Sequence, residues 1–130
     1  VGTEDVFTNI LSWAGITQAI GTAMLLKATF AGRVYRSGYS NFVRTMSLHR
    51  QVEVFRWDSL FLRPINTPAR ELVAVLEAPM VRANVTKILL KNPGDTLVID
   101  NWRMLHGRDR VPTSDTVRQI ERVYLSEVFG

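Results

Sequence analysis

Hydrophobic and polar positions recur with two different periods along this chain, and the periods divide it into helical and extended segments. Over Gly15–Lys27 (GITQAIGTAMLLK) an apolar stripe at helical spacing predicts a helix, weakened by the glycine in its middle. From Ala31 to Ser47 the chain is polar and arginine-rich, with Tyr35, Tyr39 and Phe42, and reads as loop and short strands. Gln51–Leu62 concentrates strand formers: Val52, Val54, Phe55, Trp57, Leu60 and Phe61. At Asn66-Thr67-Pro68 a capping residue precedes a proline at the first helical position, so a helix starts there. Leu72, Val73 and Leu76 form its apolar face and Pro79 ends it. Val85–Leu90, the turn Asn92-Pro93-Gly94-Asp95 and Thr96–Asp100 then read as strand, tight turn and strand, the best hairpin signal in the chain. In Arg118–Leu125 a period of two puts Arg118, Ile120, Arg122 and Tyr124 on one face.

These segments predict a mainly β domain with flanking helices and mostly antiparallel pairing, of the β-sandwich or jelly-roll class. The 130 residues suit one domain with one modest core. Mean hydropathy near zero (+0.03) is that of an ordinary globular chain. No apolar run approaches the ~20 residues that span a bilayer, and Glu4 and Asp5 stand where a signal peptide would be basic. With no cysteine, disulfides and thiolate metal sites are excluded, which fits a cytoplasmic protein.

The absence of cysteine leaves His, Asp and Glu as metal ligands, and the chain has only two histidines, His49 and His106. The net charge is +4, from 16 Lys and Arg against 12 Asp and Glu. The arginines are scattered, without a dense run or a basic–aromatic repeat. That pattern favours an anionic small-molecule ligand over nucleic acid or a membrane. His106 follows the strand ending near Asp100, and Arg118 lies 12 residues beyond it on the next expected strand. An imidazole is a common iron ligand, and a guanidinium on a neighbouring strand can grip a dicarboxylate with two parallel hydrogen bonds. Nothing in the spacing of His49 marks it as a ligand.

The run Asn92-Pro93-Gly94-Asp95-Thr96-Leu97-Val98-Ile99-Asp100-Asn101-Trp102-Arg103-Met104-Leu105-His106-Gly107-Arg108 resembles the distal-histidine segment of the clavaminate synthase-like oxygenases. Their amino-acid oxygenase and γ-butyrobetaine hydroxylase branches share a Pro-Gly-Asp turn, a hydrophobic strand, Asp-Asn-x-Arg and His-Gly-Arg. The resemblance implies a double-stranded β-helix, here shortened or incomplete. It also implies an Fe(II)- and 2-oxoglutarate-dependent dioxygenase that uses O2 to hydroxylate a C–H bond of a small substrate, a free amino acid or a derivative. His106 is the implied distal iron ligand and Arg118 the implied partner of the far carboxylate of 2-oxoglutarate. Arg122 is the competing choice for that role, or a substrate contact, and Thr17 is an implied 2-oxoglutarate contact.

Upstream, Arg56-Trp57-Asp58-Ser59-Leu60-Phe61-Leu62-Arg63-Pro64 is similar to a substrate-facing stretch of the amino-acid oxygenase branch. Asp58 and Arg56 are therefore candidate substrate contacts, Asp58 for an ammonium or guanidinium. Thr3-Glu4-Asp5-Val6-Phe7 matches the end of the family's proximal His-Thr-Glu-Asp-x-Phe motif and makes Glu4 the implied carboxylate ligand. Gly2 stands where that motif has its histidine. A second reading follows from Gly2 and the short chain: a non-catalytic relative or fragment that binds a dicarboxylate or a protein partner. An incomplete β-helix leaves strand edges open, so self-association or a partner fragment is a further expectation.

Overall fold

The computed structural model describes residues 5–32, 41–113 and 119–125. These form antiparallel sheets with a few helices. In chain order the elements are β1 (Thr8–Ser12), α1 (Trp13–Ile20), α2 (Thr22–Lys27), β2 (Thr29–Gly32), β3 (Phe42–Arg44), β4 (Met46–His49), β5 (Val52–Phe55), β6 (Leu62–Pro64), α3 (Thr67–Glu77), α4 (Pro79–Ala83), β7 (Thr86–Ile88) and β8 (Met104–Arg108). Their pairings give sheets ordered β7-β1-β8, β3-β2-β6 and β4-β5, and among the described residues no barrel closes. Every pairing among the described residues is antiparallel, in line with the mostly antiparallel pairing expected. Among the described residues no helix is long and apolar enough to cross a membrane.

The helix predicted over Gly15–Lys27 forms as two. Gly21 adopts φ 86° and ψ 147°, a backbone region open to glycine and strained for a residue with a Cβ. Its N–H still donates to the Thr17 carbonyl at 2.8 Å, closing α1, and its carbonyl accepts from Leu25 N at 3.3 Å, opening α2. Ser12 caps α1, its hydroxyl accepting from Ala14 N at 3.2 Å.

Asn66 caps α3 and does more than cap it. Its Oδ1 accepts from Ala69 N at 3.0 Å and from Thr29 N at 3.2 Å. Its Nδ2 donates to the Lys27 carbonyl at 2.7 Å. One side chain thus ties the start of α3 to the α2–β2 junction. Asn66→Ala is expected to cost about 2 kcal/mol, because a cap and two long-range bonds go together. Urea unfolding checks this, and a loss below about 0.5 kcal/mol would refute the tie, since only exposed residues without such contacts fall that low.

Pro79 ends α3, as predicted, and also begins another helix. Ala78 before it is extended (φ −64°, ψ 140°), and Pro79 takes the first position of α4, where its missing N–H costs nothing.

The predicted hairpin forms only in part. Gly94 takes φ 91°, and Asp95 N donates to the Asn92 carbonyl at 3.1 Å, so the Pro-Gly turn is present. The Asp95 carboxylate accepts from Asn92 N and Lys91 N, both at 2.8 Å, and those two N–H groups hold its pKa below the ordinary carboxylate range. Thr96–Asp100, however, is not a strand. β7 pairs with β1 instead, and among the described residues its outer edge carries no partner. Residues 119–125 form no strand either, which corrects the strand expected over Arg118–Leu125; Arg118 itself lies outside the described residues.

The core is one cluster. Trp13, Ile16, Leu25, Ala28, Phe30, Met46, Phe55, Ala69, Leu72 and Leu76 are buried against each other, so α1, α2 and α3 share it with β2, β4 and β5. Trp13 and Phe55 stack with ring centroids 5.0 Å apart and planes 13° from parallel. Thr45, wholly buried, joins the sheets through its backbone: its N–H donates to Ala28 O at 3.1 Å and its carbonyl accepts from Arg56 N at 2.7 Å.

Candidate functional site

His106 lies within a strand, not beyond one. Asp100 builds the turn that precedes it: its carbonyl accepts from Arg103 N at 3.1 Å and Met104 N at 2.9 Å, and its Oδ1 accepts from Trp102 N at 3.0 Å. The polar string Asp-Asn-Trp-Arg is therefore a turn with a side-chain brace, which starts β8 at Met104. The accompanying Arg103–Asp100 ion pair, at 3.9 Å on the surface, adds little. β8 then pairs with β1, Ile10 facing His106 and Leu11 facing Leu105. Leu105 packs against the core while its neighbour His106 stays exposed.

His106 borders a cavity of about 440 Å³. Asp58, Arg56 and Arg122 line it as well, so four of the residues singled out from sequence share one space. The main chain explains how the 56–58 segment reaches it. After β5, Phe55 N donates to the Trp102 carbonyl at 3.0 Å, which sets the end of β5 beside the Asp100 turn. Asp58 then stops the strand-like run predicted over Gln51–Leu62: its Oδ1 accepts from Leu60 N at 2.8 Å and Phe61 N at 3.2 Å, turning the chain before β6. Asp58 is thus both a turn residue and part of the cavity wall. Trp13, Phe55, Trp57, Phe61 and Tyr124 supply aromatic surface around these polar groups. Arg122 Nη1 lies 3.4 Å from the Tyr124 hydroxyl.

Other predicted residues fall elsewhere. Thr17 sits on α1, where its hydroxyl donates to the Trp13 carbonyl at 2.8 Å, and it does not line the cavity. His49, on β4, meets Trp102 edge-on, with centroids 5.6 Å apart and planes at 70°. Glu4 and Arg118 lie outside the described residues. Among the described residues no three His, Asp or Glu side chains stand together as a metal-binding group, so they do not by themselves fit a complete iron site. The Trp13–Phe55 floor is the part of the site that sequence reasoning missed. Its only signal was hydrophobicity, which marks a core residue and a cavity wall alike.

Asp109, one residue past β8, fastens that strand to β1. Its Oδ1 accepts from Asn9 Nδ2 at 2.8 Å, its Oδ2 from Phe7 N at 3.4 Å, and its own N–H donates to the Phe7 carbonyl at 3.0 Å. The Asn9 amide, then the Phe7 N–H and the Lys87 charge, hold its pKa below the usual carboxylate value. A depressed folded-state pKa means that the unfolded chain binds more protons in acid. This contribution is full above the unfolded value, near 3.8, and is lost as pH falls through the lower folded value. Asp109→Asn is expected to flatten the decline of the melting temperature below about pH 4, the ordinary carboxylate range. Parallel declines in variant and parent would show that the tie contributes nothing.

Comparison with protein-family models and with curated proteins returns no match for this chain.

Proposed function

We propose that this chain is part of an Fe(II)- and 2-oxoglutarate-dependent oxygenase that oxidises a C–H bond of a small cationic substrate, a free amino acid or a derivative. The observation that carries this reading is the meeting of His106, Asp58, Arg56 and Arg122 around one cavity, although Asp58 and Arg122 are 64 positions apart in the chain. On this reading the antiparallel sheets belong to a double-stranded β-helix, with Glu4 and His106 as metal ligands and Arg118 as the grip on 2-oxoglutarate. Fe(II) with 2-oxoglutarate and O2 supplies the oxidising power.

The chain's own groups do the rest. Asp58, with Oδ1 engaged by its turn, has Oδ2 left to accept from a substrate ammonium or guanidinium. Arg56 and Arg122 suit a substrate carboxylate, and the aromatic walls keep water from the reacting carbon while offering π-faces to a cation. The second reading, a non-catalytic relative that binds a dicarboxylate, is favoured by Gly2 in place of the proximal histidine.

Anaerobic titration with Fe(II) and 2-oxoglutarate separates the two readings. A visible charge-transfer band that saturates near one iron per chain supports the oxygenase. A folded protein that binds 2-oxoglutarate and gives no band supports the non-catalytic relative.

A further inference from the structure

We propose that a second cleft, beyond the end of β8, binds a multivalent organic anion of metabolite size. Arg108, Arg110 and Arg122 line it, together with Asp109, Val111 and Ile120, and it is an open depression of about 700 Å³. That volume lies within the roughly 300–1,000 Å³ usual for small-molecule sites.

Asp109 continues the β1–β8 ladder through its N–H to Phe7 O, so its carboxylate points to the face of Asn9. Arg108, the last residue of β8, and Arg110 both border the cleft. The acid between them is engaged by Asn9 and Phe7, although it borders the cleft as well. Its two oxygens are occupied by Asn9 Nδ2 and Phe7 N, and among the described residues neither Arg108 nor Arg110 has an ion-pair partner. Arg122 faces the same space and forms the wall shared with the His106 cavity.

Three arginines bordering one space, with no ion-pair partner among the described residues, favour a ligand with two or more anionic groups, because each guanidinium can form two parallel charge-assisted hydrogen bonds. Val111 and Ile120 give the same space apolar walls, which suit a carbon skeleton better than a bare inorganic ion. A di- or tricarboxylate therefore fits better than inorganic phosphate. The site needs no metal and does not depend on the oxygenase reading.

The test is calorimetric titration of the metal-free protein with citrate at low ionic strength, with acetate and inorganic phosphate as comparisons. Citrate is expected to bind near one per chain, more tightly than either comparison ion. In Arg108→Ala/Arg110→Ala the affinity is expected to fall about tenfold or more, since two charge-assisted contacts are removed. His106→Ala, which breaks the proposed iron site, is expected to leave citrate affinity within about twofold, because His106 does not line the cleft and its exposed side chain can be removed with little effect on the fold. Arg63→Ala, an exposed arginine on β6, serves as the control for diffuse charge. Undiminished binding in the double variant overturns the site, and so does an equal loss in Arg63→Ala or phosphate binding as tightly as citrate.

Discussion

On the oxygenase reading proposed above, His106→Ala is expected to abolish the visible band that Fe(II) and 2-oxoglutarate would form together on the protein, while the variant stays folded. The side chain is exposed on β8 and borders the cavity, so its loss leaves no void in the core. Exposed substitutions of this kind change stability by only about 0.5 kcal/mol, so circular dichroism and urea unfolding should match the parent. An iron ligand behaves differently: removing one takes away a bond and the chelate geometry it completes, and the complex fails as a unit. The same titration distinguishes the arginines. Arg118→Ala should raise the 2-oxoglutarate concentration needed for the band without changing iron stoichiometry. If Arg122→Ala does so instead, the grip on the cosubstrate moves to the residue that lines the cavity. A band that survives His106→Ala unchanged would remove His106 from any metal site.

Trp13→Ala is expected to be the most damaging single change to the fold. The indole is 1% exposed and stacks on Phe55 at 5.0 Å, so its removal empties the point where α1, β5 and the cavity floor meet. Large-to-small changes of buried aromatics cost about 3–5 kcal/mol, a large share of the roughly 5–15 kcal/mol that holds a typical domain. Trp13 N also donates to the Arg103 carbonyl at 3.0 Å, so α1 is fastened directly to the turn that launches β8. Trp13→Phe keeps an aromatic stack and should lose less than half as much. Urea denaturation of the three proteins checks this, and a loss below about 1 kcal/mol in Trp13→Ala would mean that the site relaxes to fill the void.

Much of the local structure was legible from residue types because the causes are local. Asn66-Thr67-Pro68 starts α3 since a side-chain acceptor and a fixed φ act within a few residues. Pro93-Gly94 turns because one residue presets φ and the next tolerates a positive value. Gly21 weakened the predicted helix and in the fold divides it. Where pattern reading went astray, the missing information was the partner. Thr96–Asp100 reads as the return strand of a hairpin, yet a strand exists only where it pairs, and β7 pairs with β1 instead. The same limit applied to His106, which reads as lying beyond a strand until Ile10 is seen to pair with it.

For this protein the sequence alone determined antiparallel sheets with flanking helices, the capped start of α3, the Pro-Gly turn, and a short set of residues whose chemistry suits a metal, a dicarboxylate and a cationic substrate. Tertiary structure decided which of them meet. It brought His106, Asp58, Arg56 and Arg122 to one cavity, left Thr17 bonded within its helix and His49 against Trp102, and set Arg108 and Arg110 on one cleft with Asp109 engaged by Asn9. The physical reason is one of range. Caps, turns and periodicity act over a few residues. Closing a cavity requires β1 to pair with β8 and the end of β5 to bond to Trp102, contacts between distant segments that depend on the packing of the whole core.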